Sequence, residues 1–229
     1  MPTSDVLGLF QDLVRRDPAL INVPAAALAM ARVAYPALAV DACLDELAAM
    51  GRGAAERMRS SSDESRIARL NHYVFSELRF RGNKDDYYDP RNSLLNDVLE
   101  RRLGMPITLA LVYIDIAAAS RIAIEGIGFP GHFLVRDVAT GWILDVFNGG
   151  TRMEIADCKD LFVAQGHAPE EWTEELLVPV TKTQFLLRMI NNLKRHYSQN
   201  GDKLRLTMLE AMAAAVLEAG DDGASSLLH

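Results

Sequence analysis

Between residues 104 and 145 the hydrophobic pattern changes from helical to strand-like, and this change limits the possible folds more than any other feature of the chain. Gly104-Met105-Pro106-Ile107-Thr108-Leu109-Ala110 opens an apolar stretch that runs on to about Ala119. Its proline stands in a first-turn position, where the missing N–H would have no helical partner anyway. From Ile122 the pattern becomes short β-type segments at 122–128, 132–138 and 142–147, separated by Pro130-Gly131 and by Ala139-Thr140-Gly141. The expectation is an α+β protein in which a central helix packs on an antiparallel meander.

Strand geometry turns two polar residues of the meander into a pair. If Ala139 and Thr140 form a two-residue turn, Leu134 lies opposite Asp145, and His132 is the diagonal neighbour of Asp145 on the same face. The other face then carries Phe133, Val135, Leu144 and Val146, an unbroken apolar set that favours this register. A three-residue turn would separate the two. Two readings of the pair stand side by side: a site in which Asp145 orients His132, and a structural arrangement of a partly buried histidine with a carboxylate capping a loop.

The flanking segments read as helices. Helices are predicted at 24–34, 36–51 and 63–80, with Pro24 and Pro36 in first-turn positions. Val40, Cys43, Leu44 and Leu47 recur at helical spacing, which puts Cys43 on a buried stripe. Residues 81–91 combine Gly, Asn, Asp and Pro without periodicity and read as a loop. A helix at 93–102 follows, with Asn92 as its N-cap and Gly104 as the turn residue behind it. A short helix near 155–163 and a polar loop at 166–175 lead to helices at 183–198 and 203–218, joined by Asn200-Gly201-Asp202. The expected division is 1–80 as an N-terminal helical region packed on the core, 81–180 as the core, 181–219 as a helical hairpin and 220–229 as a flexible tail.

Composition narrows the partners. With 24 basic against 31 acidic residues and a net charge of −7, the chain has no overall positive field to gather nucleic acid. The longest apolar stretches, 25–31 and 211–217, fall well short of the roughly 20 residues that a membrane span requires. Two cysteines make no disulfide framework, and the start Met1-Pro2-Thr3-Ser4-Asp5 has no secretory pattern, so the expected location is the cytoplasm. No metal-ligand spacing or phosphate-cradling glycine loop occurs, and no cofactor is expected. Cys158 shares helical spacing with Ile155, Leu161 and Phe162, which reads as inert core.

The same residues resemble the transglutaminase-like superfamily, whose papain-like core begins a helix with Gly-x-Cys-x-x-x-Ala and carries His and Asp on the next two strands. Aligning Gly104 and Ala110 puts Pro106 in the cysteine slot and leaves His132 and Asp145 as the other two members. Within it the chain resembles the SirB family, often joined to tetratricopeptide repeats, through Asp89-Pro90-Arg91-Asn92-Ser93-Leu94-Leu95-Asn96, Glu100-Arg101-Arg102-Leu103-Gly104-Met105-Pro106 and Gly128-Phe129-Pro130-Gly131-His132. The run Leu144-Asp145-Val146-Phe147-Asn148-Gly149-Gly150 completes the set, and 181–219 is similar to a single tetratricopeptide unit. A cysteine in the slot would gain thiolate character from the helix dipole and a neighbouring imidazolium. Thr108, two positions on, points about 200° away and cannot replace it. The resemblance implies a non-catalytic protein that binds a protein or small ligand. Asn92, Asn96 and Glu100 recur at four-residue spacing and form a polar face beside the expected cleft, with plain solvation as the alternative reading, and Asn96, Glu100 and Thr108 are the candidate ligand contacts. The alternative is a hydrolase in which His132, oriented by Asp145, acts as general base on water.

Overall fold

The computed structural model describes residues 3–15, 17–59 and 65–219. The expected tail at 220–229 lies outside them, as do residues 63 and 64 of an expected helix. The chain opens with a helix that the sequence reading did not isolate, Thr3–Val14 (α1), built on Val6, Phe10 and Val14 at four-residue steps, all three buried. Next comes Val23–Ala31 (α2), whose N-terminus is capped by the Asn22 side chain accepting the Ala25 N–H at 3.1 Å. All nine of its residues are buried, so α2 has no solvent face.

The third helix, Val40–Arg57 (α3), departs from expectation at both ends. Pro36 lies outside it, its carbonyl accepting the Arg32 guanidinium at 3.0 and 2.9 Å. The helix also continues past Gly51, where a side chain would come within 2.8 Å of Ala119 Cβ on a neighbouring helix. That close approach outweighs the propensity cost of glycine, about 1 kcal/mol in a helix interior. Of the expected stripe Leu47 is fully buried, while Val40, Cys43 and Leu44 are half-buried against the core. Arg66–Asn71 (α4) then runs into a π-type turn, His72–Glu77.

Arg81–Gly82 (β1) pairs in parallel with Leu103–Gly104 (β2), so the expected loop begins with a short strand. Between them lies Leu95–Arg101 (α5), which starts later than predicted. Asn92 is not its cap. It is buried, with Nδ2 donating to the Asp86 and Tyr87 carbonyls at 2.7 and 3.1 Å and Oδ1 accepting from Asn83 at 3.0 Å. The left-handed residue that ends α5 is Arg102 at φ 58°, not Gly104, which is buried where a Cβ would crowd Leu109, Thr108 and Val98 at 3.1 Å.

Pro106–Ala119 (α6) is the expected central helix, buried over its first two turns and again at Ile116 and Ala117. The meander follows as Ile124–Ile127 (β3), Leu134–Asp137 (β4), Ile143–Asp145 (β5) and an unforeseen fourth strand, Thr151–Met153 (β6), antiparallel in the order β3-β4-β5-β6. Phe133, Val135, Leu144 and Val146 join the main core with α6. Ile127, Leu134 and Ile143 instead form a second cluster with Cys158 and Phe162 of Ile155–Ala164 (α7). The sheet thus lies between helices, as expected of an α+β fold.

Lys182–Gln199 (α8) starts at a reciprocal capping box between Thr181 and Gln184, and Lys203–Ala219 (α9) returns beside it. α9 packs on α1 and α8 packs on α2, and one continuous apolar cluster runs from Val6 to Val216. Among the described residues no helix is long and apolar enough to cross a membrane.

This packing predicts that damage to the hairpin is felt by the whole fold. Leu209→Ala, at a fully buried position of α9, is expected to cost about 2–5 kcal/mol. Chemical unfolding followed by Trp142 and Trp172 fluorescence, both far from the mutation in sequence, should shift together with the circular dichroism transition. An unchanged tryptophan transition would show the hairpin to unfold on its own.

Candidate functional site

The register that brings His132 to Asp145 is realised through a different turn. Val135 pairs with Leu144 and Arg136 with Ile143, and the next step along that ladder sets Leu134 opposite Asp145. The connection runs through Val138, Ala139, Thr140 and Gly141, with Gly141 left-handed at φ 73° and the Asp137 N–H donating to the Trp142 carbonyl at 3.0 Å. The Asp137 carboxylate holds the loop by accepting Thr140 Oγ1 at 2.6 Å. The connection opens by one residue on each side of the expected Ala139-Thr140 turn, so the pairs beyond it are unchanged.

His132 is delivered by a turn. Its N–H donates to the Phe129 carbonyl at 3.1 Å across Pro130 and Gly131, the latter at φ 66°. Proline second and a left-handed glycine third are the residues that a type II turn requires. From there the imidazole reaches Asp145, Nε2 to Oδ1, at 3.0 Å. The carboxylate does more than orient the ring. Oδ1 also accepts the N–H groups of Phe147 and Asn148 at 3.0 and 3.2 Å, and Oδ2 accepts Asn148 Nδ2 at 2.8 Å. Asp145 thereby caps the short 3₁₀ turn Val146–Asn148. Burial pushes its carboxyl up, but the hydrogen bonds from His132 and Asn148 and the attraction of His132 outweigh that and hold it below the ordinary value. An ionised carboxylate only accepts, so Nε2 carries the proton of the contact.

The pair is covered. His132 is 7 % and Asp145 4 % exposed. The Phe147 ring stands edge-on to His132 at 5.8 Å, and Tyr87 stands edge-on to Phe147 at 5.7 Å. An open pocket of about 390 Å³ adjoins this roof, lined in part by Arg81, Asn83, Lys84, Phe147 and Asn148.

One participant was missed in the sequence. Arg188 of α8 donates Nη2 to the carbonyls of both Phe129, at 2.6 Å, and His132, clamping the two ends of the turn that delivers the histidine. The signal available was a charge among Phe185, Leu186 and Met189, on the face of the helix that must be buried.

The family model of the transglutaminase-like superfamily matches residues 41–191. The chain belongs to the transglutaminase-like superfamily. It is 36% identical over 203 residues to a UPF0162 protein of Xylella fastidiosa, covering 84% of this chain and 71% of the relative. A UPF0162 protein of Pseudomonas aeruginosa is 32% identical over 93% of this chain and 76% of its own. Human F-box only protein 21 is 31% identical over 54% of this chain, which is 20% of that protein. No solved structure matches.

Within this transglutaminase-like chain, Pro106 is buried in the first turn of α6. Thr108 is fully buried, its hydroxyl donating to the Asn92 carbonyl at 2.5 Å and lying 3.1 Å from the Met105 carbonyl. Asn96 is half-buried with Oδ1 sealed from solvent and unbonded, and Glu100 is exposed. With Asn92 bonded into the preceding loop, Asn92, Asn96 and Glu100 do not form a shared polar face. Cys158 has no exposed surface, and its thiol is pushed up to about 11, by burial first and then by Asp157, Asp145 and Glu154. Among the described residues, no group of three or more His, Cys, Asp or Glu side chains is placed to hold a metal ion.

Asp145→Ala should destabilise the protein at pH 7 by about 3 kcal/mol, since one buried acceptor of four hydrogen bonds is lost. The folded carboxyl titrates below the unfolded one, so its stabilisation is complete above the unfolded value of about 4 and disappears as pH falls through the folded value. The stability gap between wild type and variant, measured by denaturant titration, should therefore narrow as pH drops below about 4. A gap that stays constant would mean that Asp145 is not ionised in the fold.

Proposed function

We propose that this chain is a member of the SirB type without the nucleophilic cysteine, and that it binds a protein or small ligand and regulates it without bond-making chemistry. The observation that carries the reading is Pro106 in the first turn of α6, the position at which the resemblance places the nucleophilic cysteine. Neither cysteine offers a substitute, because burial raises the thiols of both Cys43 and Cys158. Without an activated nucleophile, the His–Asp pair has no partner with which to form an acyl intermediate. Recognition of a partner does not need that partner atom. Similarity of part of this chain to one fifth of human F-box only protein 21 supports use of the fold as a module. Two free cysteines suit a reducing compartment, and we place the protein in the cytoplasm.

One observation favours the alternative hydrolase. With Nε2 on Asp145, the second ring nitrogen of His132 has no protein partner among the described residues and is not among the sealed, unbonded atoms, so it is open to accept a proton from water.

Pro106→Cys separates the two and tests the slot itself. At pH 7.5 the wild type should not react with iodoacetamide while folded and should not hydrolyse p-nitrophenyl acetate above buffer. The variant should be alkylated at position 106 at least about tenfold faster than an ordinary thiol, since a helix N-terminus and a nearby imidazolium favour the thiolate. A second change, His132→Ala, should remove that excess. Ordinary reactivity at position 106 would sink the slot assignment, and His132-dependent ester turnover by the wild type would decide for the hydrolase.

A further inference from the structure

Arg188 is a shielded cation without a counter-ion. Among the described residues the half-buried Arg101, Arg102, Arg136 and Arg205 each pair with a carboxylate, whereas none comes within ion-pair range of the half-buried Arg188; Arg66, Arg79, Arg81, Arg121 and Arg195 lack one as well, but all five are exposed. This occurs in a chain with an excess of acidic residues. Taking a guanidinium out of water is costly unless charge or hydrogen bonds replace the solvent. Here only part of that replacement is made. Nη2 spends its two hydrogens on the Phe129 and His132 carbonyls, while Nε and Nη1, with three further N–H groups, meet no protein acceptor. Neither atom is among the sealed, unbonded ones, so both open toward solvent. The orientation of the group is fixed by its two carbonyls and by the Phe133 ring, 5.5 Å from the guanidinium carbon.

The neighbours of this cation come from three parts of the fold. Arg188, Asn192 and Arg195 stand four and three residues apart on α8 and so share one stripe. Asn192 Nδ2 lies 3.4 Å from Met105 Sδ, which also accepts Ser93 Oγ at 2.8 Å, and this sets the stripe beside the residue that precedes α6. Tyr87 stands edge-on to Phe147, the ring that covers His132, whose carbonyl Arg188 holds; its hydroxyl, raised by burial and by Tyr88, feels the charges of both Arg188 and Arg195, which lower it. Asn192 and Tyr87 are half-buried and Arg195 is exposed, so the stripe runs from a shielded cation to a cation at the surface.

We propose that Arg188, with Arg195, Asn192 and Tyr87, forms a binding site for the carboxylate of a ligand beside the covered His132–Asp145 pair. The fixed Nη1 and Nε donors receive the carboxylate oxygens, Tyr87 and Asn192 add neutral donors, and Arg195 attracts the anion at the entrance. One shielded charge flanked by Phe133, Tyr87 and Met105 matches a monoanion with an apolar body better than a phosphate dianion, whose second charge has only the exposed Arg195 to meet it. The site deepens the ligand-binding reading above and rests on it for biological purpose, but its occupancy does not depend on whether Pro106 marks a lost nucleophile.

The carboxylate has two natural sources, a chain end and an acidic side chain, and both can be presented as small probes. The full chain would be titrated at constant ionic strength with N-acetylglycine and with 4-acetamidobutyrate, following the side-chain Nε–H resonances of the arginines by NMR. N-acetylglycinamide serves as the uncharged control, and inorganic phosphate as the competing anion class. A saturable shift at Arg188 with a carboxylate probe and none with the amide is expected, and the probe that saturates at lower concentration names the source. Arg195→Ala, at an exposed position, should leave the melting temperature unchanged and weaken binding roughly threefold, the scale of a screened surface charge. Arg188→Lys keeps the charge but not the fork and should weaken binding tenfold or more. Absence of saturation, an equal response to the uncharged amide, tighter binding of phosphate, or affinity that survives Arg195→Ala would each overturn the proposal. A protein that binds these probes but fails the Pro106→Cys test keeps this site and loses only the slot assignment.

Discussion

Two helices without a polar side govern this structure. α2 buries all nine of its residues, and α6 buries every residue of its first two turns. Neither can lie at a surface, since each apolar side chain left in water forgoes about 1.5–3 kcal/mol. The remaining elements are arranged as their cover. α1, α3, α5 and α8 lie around α2, while α3 and the sheet lie around α6. The close passage of α3 over α6 at Gly51 and Ala119 follows from the same requirement: the small residues on the buried stripe of α3 let it lie close over α6, where a side chain at 51 would come within 2.8 Å of Ala119 Cβ. It also explains why the C-terminal hairpin lies on the body: one antiparallel helix pair cannot hide its own apolar stripes, and α2 needs the surface that α8 offers.

The legible parts of the sequence were those in which period and turn chemistry act locally. The extent of α6, the three first strands, the facing of His132 and Asp145 and the Asn200-Gly201-Asp202 turn all follow from spacing within a few residues. The register survived a wrong turn because the connection opened equally on both sides of Ala139-Thr140, which leaves every pair beyond it in place. Where tertiary contacts decide, local reading failed. Glycine at 51 reads as a helix end but is the point of contact with α6, and Asn92 reads as a cap but is consumed inside the preceding loop. Pro36 has the sequence of a helix start, yet its carbonyl is held by Arg32 and the helix begins at Val40. α1 was readable from Val6, Phe10 and Val14, whereas β6, three residues long and largely exposed, carries almost no pattern of its own.

At the candidate site one carboxylate carries two structural duties. Asp145 holds the imidazole of His132 and, through the same oxygen, the first N–H groups of the turn that follows β5. The two readings of that residue, orienting a histidine and capping a loop, are therefore one set of hydrogen bonds and not alternatives. Its presence in a chain with proline at the start of α6 needs no catalytic explanation, because removing it would free Phe147, whose ring covers His132. The chemistry expected of a His–Asp pair and the integrity of the roof above it are mechanically linked.

Arg188 extends that link to the hairpin. By bonding both ends of the Phe129–His132 turn, it makes the position of the imidazole depend on the seating of α8, and α8 is seated by the buried faces of α2 and α9. Burial lowers the guanidinium to about 10, so it remains charged at neutral pH while lacking a protein carboxylate. Any anion that approached its free donors would strengthen the hold of the same group on the two carbonyls, since a better-compensated cation loses less by staying shielded. The hairpin, the histidine turn and the face of Arg188 open to solvent would then share one energetic term. A ligand that bound only the folded state would raise the stability of all three by RT ln(1 + [L]/Kd). Nothing in this coupling requires bond-making at His132.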